Sequence, residues 1–184
     1  ENENQIIKSG KRYAIFRLGS VYGFSTDTMR INIMPNLFSK IASQNGKLKL
    51  FGGGDQLKSL VPLIDVARCF KYVEENKNFR SGIYNLTKEN TTVKEVAQIC
   101  KKINPKMEII ETDDEVPNKG YTLSNKKILS TGFEFVNNLE TCIEEMINKW
   151  TYEKFDKNLE YTFGGVREFI DNRGKISNYD LPEP

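Results

Sequence analysis

The sequence predicts an α/β fold. Short apolar, β-rich runs such as Tyr13-Ala14-Ile15-Phe16 and Ile83-Tyr84-Asn85-Leu86 alternate with segments of helical periodicity. The first run stops abruptly at Arg17-Leu18-Gly19-Ser20-Val21-Tyr22-Gly23, a strand end that opens into a loop. Thr92-Val93-Lys94-Glu95 is a capping box, so a helix begins there.

Each element follows from its own signal. Residues 1–10 read as the end of a helix, with Ile6 and Ile7 apolar and Ser9-Gly10 as the stop. Residues 12–18 read as a buried strand, and 24–33 as a polar loop. Pro35 opens a helix to Ser43 in which Leu37, Phe38, Ile41 and Ala42 have helical spacing, and Asn45-Gly46 ends it. Leu48-Lys49-Leu50-Phe51 is a short strand, Gly52-Gly53-Gly54-Asp55 a hard turn, and 57–63 a second strand paired with the first. Asp65 is expected to cap a helix from Val66 to Glu75, with Ala67, Phe70 and Val73 inward. A strand at 82–86 precedes the capped helix from Thr92 to Ile103, which turns Val96, Ile99 and Cys100 inward. Residues 107–111 form a strand, 125–129 a short helix closed by Gly132, and 139–152 the last helix. Its stripe of Ile143, Met146, Ile147 and Trp150 reads as core.

Composition narrows the function. The chain has 184 residues, 38% hydrophobic and 28% charged, with a net charge of +2. Spread lysines and so small a charge argue against a nucleic-acid partner. No apolar run reaches the length of a membrane span, and the first residues do not resemble a signal peptide, so a cytoplasmic protein with no membrane partner is expected. Cys69, Cys100 and Cys142 each fall in a predicted helix and read as buried reduced thiols. The absence of histidine excludes Ser-His-Asp and Cys-His mechanisms and any histidine-ligated metal within this chain. No CxxC pair occurs, and Asp113-Asp114-Glu115 reads as a solvated acidic run, so no metal site is expected. There is no GxGxxG and no P-loop.

Ligands of α/β sheets bind at the carboxyl ends of strands. That places the candidate site at Gly19-Ser20-Val21, where glycines permit close backbone approach and Ser20 offers a hydroxyl. A strand followed by a tight turn is the alternative reading of the same residues.

Three features together resemble the second half of an extended short-chain dehydrogenase, the NAD-dependent nucleotide-sugar epimerase and dehydratase family. The first is Arg17-Leu18-Gly19-Ser20-Val21-Tyr22-Gly23, similar to the family's Arg-x-x-Asn-x-Tyr-Gly strand end. The second is Phe51-Gly52-Gly53-Gly54-Asp55-Gln56-Leu57-Lys58-Ser59-Leu60-Val61-Pro62-Leu63-Ile64-Asp65-Val66-Ala67, similar to Tyr-Gly-Asp-Gly, Arg-Asp and Val-x-Asp-Val-Ala at matching spacing. The third is Ile83-Tyr84-Asn85-Leu86 followed by the capped helix. The match covers roughly residues 1–152.

The resemblance implies the C-terminal part of a Rossmann-like fold with its small α/β substrate domain over residues 1–155, and the N-terminal dinucleotide-binding half absent. The family's Tyr-x-x-x-Lys pair and Gly-rich cofactor loop would lie upstream of Glu1, so no catalytic residue is assigned in this chain. Residues 156–184 would be a linker. Within it Val166-Arg167-Glu168-Phe169-Ile170-Asp171-Asn172-Arg173-Gly174-Lys175-Ile176 resembles the opening strand of sugar-nucleotide cupins of the dTDP-4-keto-6-deoxyhexose 3,5-epimerase type, or is a polar extension.

The implied cofactor is NAD or NADP in the intact enzyme, the implied substrate a nucleoside-diphosphate sugar, and the implied assembly a homodimer. The implied setting is the synthesis of surface-polysaccharide sugars. A non-enzymatic nucleotide-sugar binding or scaffold module is the alternative. Gly19, Ser20 and Val21 fall where the family meets the nicotinamide edge, and Ser20 also stands in for an Asn beside the sugar and phosphates. Lys58 replaces a phosphate-binding Arg, which keeps the charge but loses the bidentate fork, or is an exposed strand lysine. Pro35 and Asn36 open the helix expected beside the nucleotide; for Asn36 a plain helix-start role is the alternative. Lys119 is the cation in the loop where many members carry a second Arg, behind three acids that would repel a diphosphate unless turned away. Tyr22 is expected in the core.

Overall fold

The computed structural model describes residues 2–25 and 30–151. Thr26, Asp27, Thr28, Tyr152 and the cupin-like stretch 166–176 lie outside the described residues.

The element order is α1 (Asn2–Lys8), β1 (Ala14–Leu18), β2 (Ser20–Tyr22), α2 (Met34–Ser43), β3 (Lys47–Phe51), β4 (Leu57–Pro62), α3 (Leu63–Glu75), β5 (Gly82–Leu86), β6 (Glu89–Thr92), α4 (Val93–Ile103), β7 (Glu108–Thr112), α5 (Lys126–Leu129) and α6 (Leu139–Thr151). The strands form three small sheets. β1 pairs with β5 and β3 with β7, both parallel. β4 lies between β2, to which it is parallel, and β6, to which it is antiparallel. The α/β class expected from alternating periodicities is what the chain adopts.

Two hydrophobic cores organise these elements. One joins α2, α4 and α6 over β3, around Phe38, Ile41, Leu50, Val96, Ile143 and Met146. The other joins α3, α5, β1 and β5 around Val61, Cys69, Tyr84, Leu86 and Ile128. Each large apolar side chain so buried contributes about 1.5–3 kcal/mol over its exposed state. The α6 stripe of Ile143, Met146, Ile147 and Trp150 is buried as its spacing predicts. Cys69 and Cys100 are also buried, and burial pushes both thiols up to about 12. The Thr92 capping box is fully formed: the Glu95 amide donates to Thr92 Oγ1 and the Thr92 amide to Glu95 Oε2.

Four expectations fail, each for a physical reason. β3 and β4 do not pair. Gly52, Gly53 and Gly54 all have positive φ, at 55°, 67° and 80°, and turn the chain out of the β3 ladder. Gln56 locks that turn by donating from Nε2 to the Phe51 carbonyl at 2.7 Å. β3 then takes β7 as its partner.

Asp65 is not a cap. α3 starts at Leu63 with Pro62 at the N-cap, so Asp65 lies inside the first turn, fully buried. Its carboxylate accepts from Arg68 Nη1, the Val136 and Asn137 amides and Asn137 Nδ2. It clamps the 136–137 segment to α3.

The face of α3 that carries Ala67 and Phe70 points outward. Phe70 is 55% exposed and Ile64 57%, whereas Val66 and Cys69 face the core and Val73 is half-buried. α3 has two apolar faces, and periodicity alone does not choose between them.

β1 is half-buried, with no fully buried residue. Its only strand partner among the described residues is β5, so its other edge is unpaired there. The short strands β2 and β6 carry no periodic signal and were not expected; β2 follows β1 after the single residue Gly19, and β6 is the polar run Glu89–Thr92.

Candidate functional site

The carboxyl ends of β1 and β2 and the start of β4 enclose a cavity of about 540 Å³. Gly19, Ser20, Val21, Asn36 and Lys58 line it, as do Arg30, Asn118 and Tyr121. No Asp or Glu lines it among the described residues, so the cationic side chains of Arg30 and Lys58 set its charge. A second cavity of about 380 Å³ adjoins, with apolar walls from Phe38, Phe51, Val93, Val116 and Pro117. Lys58 and Asn118 line both cavities and so stand at their junction.

Local structure explains each position. The Gly19 amide donates to the Leu86 carbonyl at 3.0 Å, which fixes the crossing from β1 to β2. A Cβ on Gly19 would lie 2.7 Å from the Ser59 carbonyl oxygen. Strand packing by itself therefore requires a glycine here. Ser20 pairs with Leu60 in the ladder, and among the described residues its hydroxyl has no hydrogen-bond partner. Lys58 sits two residues into β4, half-buried. The wall beside it is rigid: Ser59 Oγ donates to Asn90 Oδ1 at 2.6 Å and accepts from the Leu123 amide at 2.8 Å.

Asn36 is buried at 2% exposure. Its Oδ1 accepts from the Gly23 amide at 3.0 Å, and its Nδ2 donates to the Arg30 carbonyl at 3.1 Å. It ties the loop after β2 to the start of α2, which shapes the cavity.

Pro35 and Lys119 are not among the residues lining either cavity. Pro35 is buried in the first turn of α2. The Lys119 carbonyl accepts from the Leu57 amide at 2.8 Å, anchoring its loop to β4, while its neighbours Asn118 and Gly120 face the cavity. Of the acids in 113–115, only Glu115 lines a cavity, the second one.

Arg30 and Tyr121 were missed by sequence reasoning. Arg30 lies on the polar loop expected at 24–33, just before the Pro35 helix start; that proximity was the available signal. Tyr121 is 70% exposed at the mouth, and nothing local marks it.

Behind the cavity, Tyr22 is buried as expected, and its Oη donates to Glu89 Oε1 at 3.3 Å. Burial raises both groups above their ordinary ranges; the neighbouring Lys88 partly counters this for Glu89.

No family model matches the sequence. The fold is similar to that of several solved structures. UDP-glucose 4-epimerase of Thermotoga maritima, solved with UDP-glucose, aligns at TM-score 0.66 and 20% identity, over 80% of this chain and 48% of that one. UDP-glucose 4-epimerase of Thermus thermophilus, solved with NAD, gives 0.64 and 18% over 82% and 51%. UDP-glucuronic acid 4-epimerase of Bacillus cereus, solved with UDP-glucuronic acid and NAD, gives 0.62 and 19% over 74% and 44%. The chain thus spans about half the length of these structures. At such identities the likeness shows the fold, an α/β arrangement with parallel pairing shared with about half of a Rossmann-like short-chain-dehydrogenase epimerase.

Proposed function

We propose that this chain is the substrate-binding half of an NAD(P)-dependent nucleotide-sugar epimerase, dehydratase or reductase. The observation that carries this reading is the position of Lys58 at the junction of two adjoining cavities. One lies at the strand ends and holds Arg30, Ser20 and no carboxylate among the described residues; the other is walled by Phe51, Val93 and Pro117, with Lys49 and Glu115 also on its lining. A nucleoside-diphosphate sugar has matching parts, with a planar base at one end, a sugar at the other and two phosphates between. An ammonium at the junction neutralises the diphosphate. Phe51 and Pro117 offer apolar walls to a base, and Ser20 offers a hydroxyl donor to the sugar side. Arg30 adds a second cation with the planar fork that Lys58 lacks.

The strand end Gly19-Ser20-Val21 is suited to border a nicotinamide. Gly19 and Val21 present backbone and an apolar side chain, and the Ser20 hydroxyl is one donor. NAD(P) would supply hydride exchange with a sugar carbon. The fold neighbours solved with NAD and with UDP-sugars support this assignment. A dinucleotide-binding half is the expected cover for two features that lie together, the unpaired edge of β1 and the outward apolar face of α3. Phe70 on that face packs edge-to-face on Phe16 of β1 at 5.4 Å. Surface-polysaccharide sugar synthesis is the setting in which such an enzyme would work.

Calorimetric titration of the chain with UDP-, dTDP- and GDP-sugars tests the reading. One nucleotide should bind saturably, and Lys58→Ala should weaken it about tenfold. Absence of binding by a folded chain, or binding indifferent to Lys58→Ala, would overturn it.

A further inference from the structure

A different cavity lies at the opposite end of β5, about 13 Å along the strand from the candidate site. It measures about 560 Å³, and Asn78, Arg80, Ser81, Tyr84, Lys127 and Ser130 are among its lining residues. No carboxylate lines it among the described residues, and there neither Arg80 nor Lys127 forms an ion pair. Lys127 is held in place: its Nζ sits 4.7 Å from the centre of the Tyr84 ring and would be 3.2 Å from a Cβ on Gly82. The Tyr84 hydroxyl donates to the Arg80 carbonyl at 2.7 Å, which couples the Arg80 backbone to the same ring. Arg12 brings a third cation to the rim, donating from Nη1 to the carbonyls of Asn76 and Lys77 at 3.3 and 2.8 Å. Ser81 Oγ accepts from the Tyr13 amide at 3.1 Å, so its own proton is left to donate.

Cations gathered without a counter-charge raise the local potential, and an anion relieves it. A guanidinium fork, an ammonium and a hydroxyl donor are the groups that satisfy the several oxygens of a phosphate. We propose that this cavity is a phosphate-binding site in which Arg80 and Lys127 hold inorganic phosphate or the phosphate group of a small metabolite. The site is separate from the nucleotide-sugar cavities and does not depend on that reading.

Amide chemical shifts of the full chain, followed during titration with inorganic phosphate and separately with glucose 6-phosphate at constant ionic strength, test it. Saturable shifts are expected at residues 80–84 and 127–131. Arg80→Gln and Lys127→Gln, both at exposed positions that the fold tolerates, should each weaken binding about tenfold. Lys58→Ala should leave it unchanged. Tighter binding of glucose 6-phosphate at the same amides identifies an organic phosphate as the ligand; equal binding identifies the free ion. Shifts that chloride reproduces, that do not saturate, or that persist undiminished in both variants overturn the proposal.

Discussion

Asp65 and Asn137 are joined by two hydrogen bonds across 72 positions of sequence, from the Asn137 amide and from its Nδ2, each 3.1 Å long. The Asp65 carboxylate is fully buried, and it also receives Arg68 Nη1 at 2.7 Å and the Val136 amide at 3.3 Å. Removing it leaves two backbone amides without that acceptor and strips the Arg68 guanidinium of its carboxylate, leaving its Nη1 the Glu134 carbonyl at 3.0 Å. Asp65→Ala should therefore destabilise the chain by about 2–4 kcal/mol, well beyond the ~1 kcal/mol of a lost helix cap. Urea unfolding measures the difference. A loss no larger than that of a cap would mean that the clamp contributes little.

Glu89 sets a pH dependence that can be isolated. Burial raises its carboxyl above the ordinary value of 4.5, despite the opposing effects of Lys88 and of the Tyr22 hydroxyl. The folded chain then holds that proton more tightly than the unfolded chain. This contribution to stability is full below the ordinary value and is lost as pH rises through the raised folded value. Glu89→Gln keeps an oxygen for the Tyr22 hydroxyl and removes the titration. The stability difference, variant minus parent, should rise with pH through that window and then level off. Thermal melts at a series of pH values read it, and a difference that stays flat across the window would refute the assignment.

The outward face of α3 predicts association behaviour. Leu63, Ile64, Ala67 and Phe70 share one side of the helix, and Leu63, Ile64 and Phe70 are 45%, 57% and 55% exposed. Apolar stripes of this kind drive association when nothing covers them. The chain in isolation should self-associate with rising concentration, and Ile64→Lys with Phe70→Lys should reduce it. Sedimentation velocity compares the two. Equal association by the double variant would locate the sticky surface elsewhere.

The helices and most strands were legible because their signals are local. The Thr92–Glu95 box and the α6 stripe specify their own geometry within a turn or two. What was not legible depends on partners distant in sequence. Whether Asp65 caps or clamps is decided by Asn137, and whether β3 pairs with β4 or β7 by three consecutive positive φ angles. The inward face of α3 is decided by what lies beside it. At the site, Ser20 and Lys58 were found through strand-end position and motif spacing. Arg30 lines the cavity on a loop that Asn36 helps hold, donating from Nδ2 to the Arg30 carbonyl, a contact that no spacing rule announces.

Gly19 links fold and site, and it supplies the sharpest test of how they depend on each other. Its would-be Cβ meets the Ser59 carbonyl oxygen at 2.7 Å and Thr87 Oγ1 at 3.1 Å. The nearer of these is backbone in the middle of β4, which cannot rotate away as a side chain would. Gly19→Ala must therefore push β2 from β4 or distort the crossing after Leu18, at a cost of about 1–3 kcal/mol. Ser20 follows immediately and Lys58 precedes Ser59, so the same displacement moves both groups proposed to meet the ligand. Gly19→Ala should lower the melting temperature and weaken nucleotide-sugar binding together, whereas Ser20→Ala, whose hydroxyl has no partner among the described residues, should weaken binding and leave the melting temperature in place. Calorimetry and thermal melts on both variants separate the two effects. A Gly19→Ala chain with unchanged stability would mean that the strands yield at that contact, and the packing requirement assigned to Gly19 would fall.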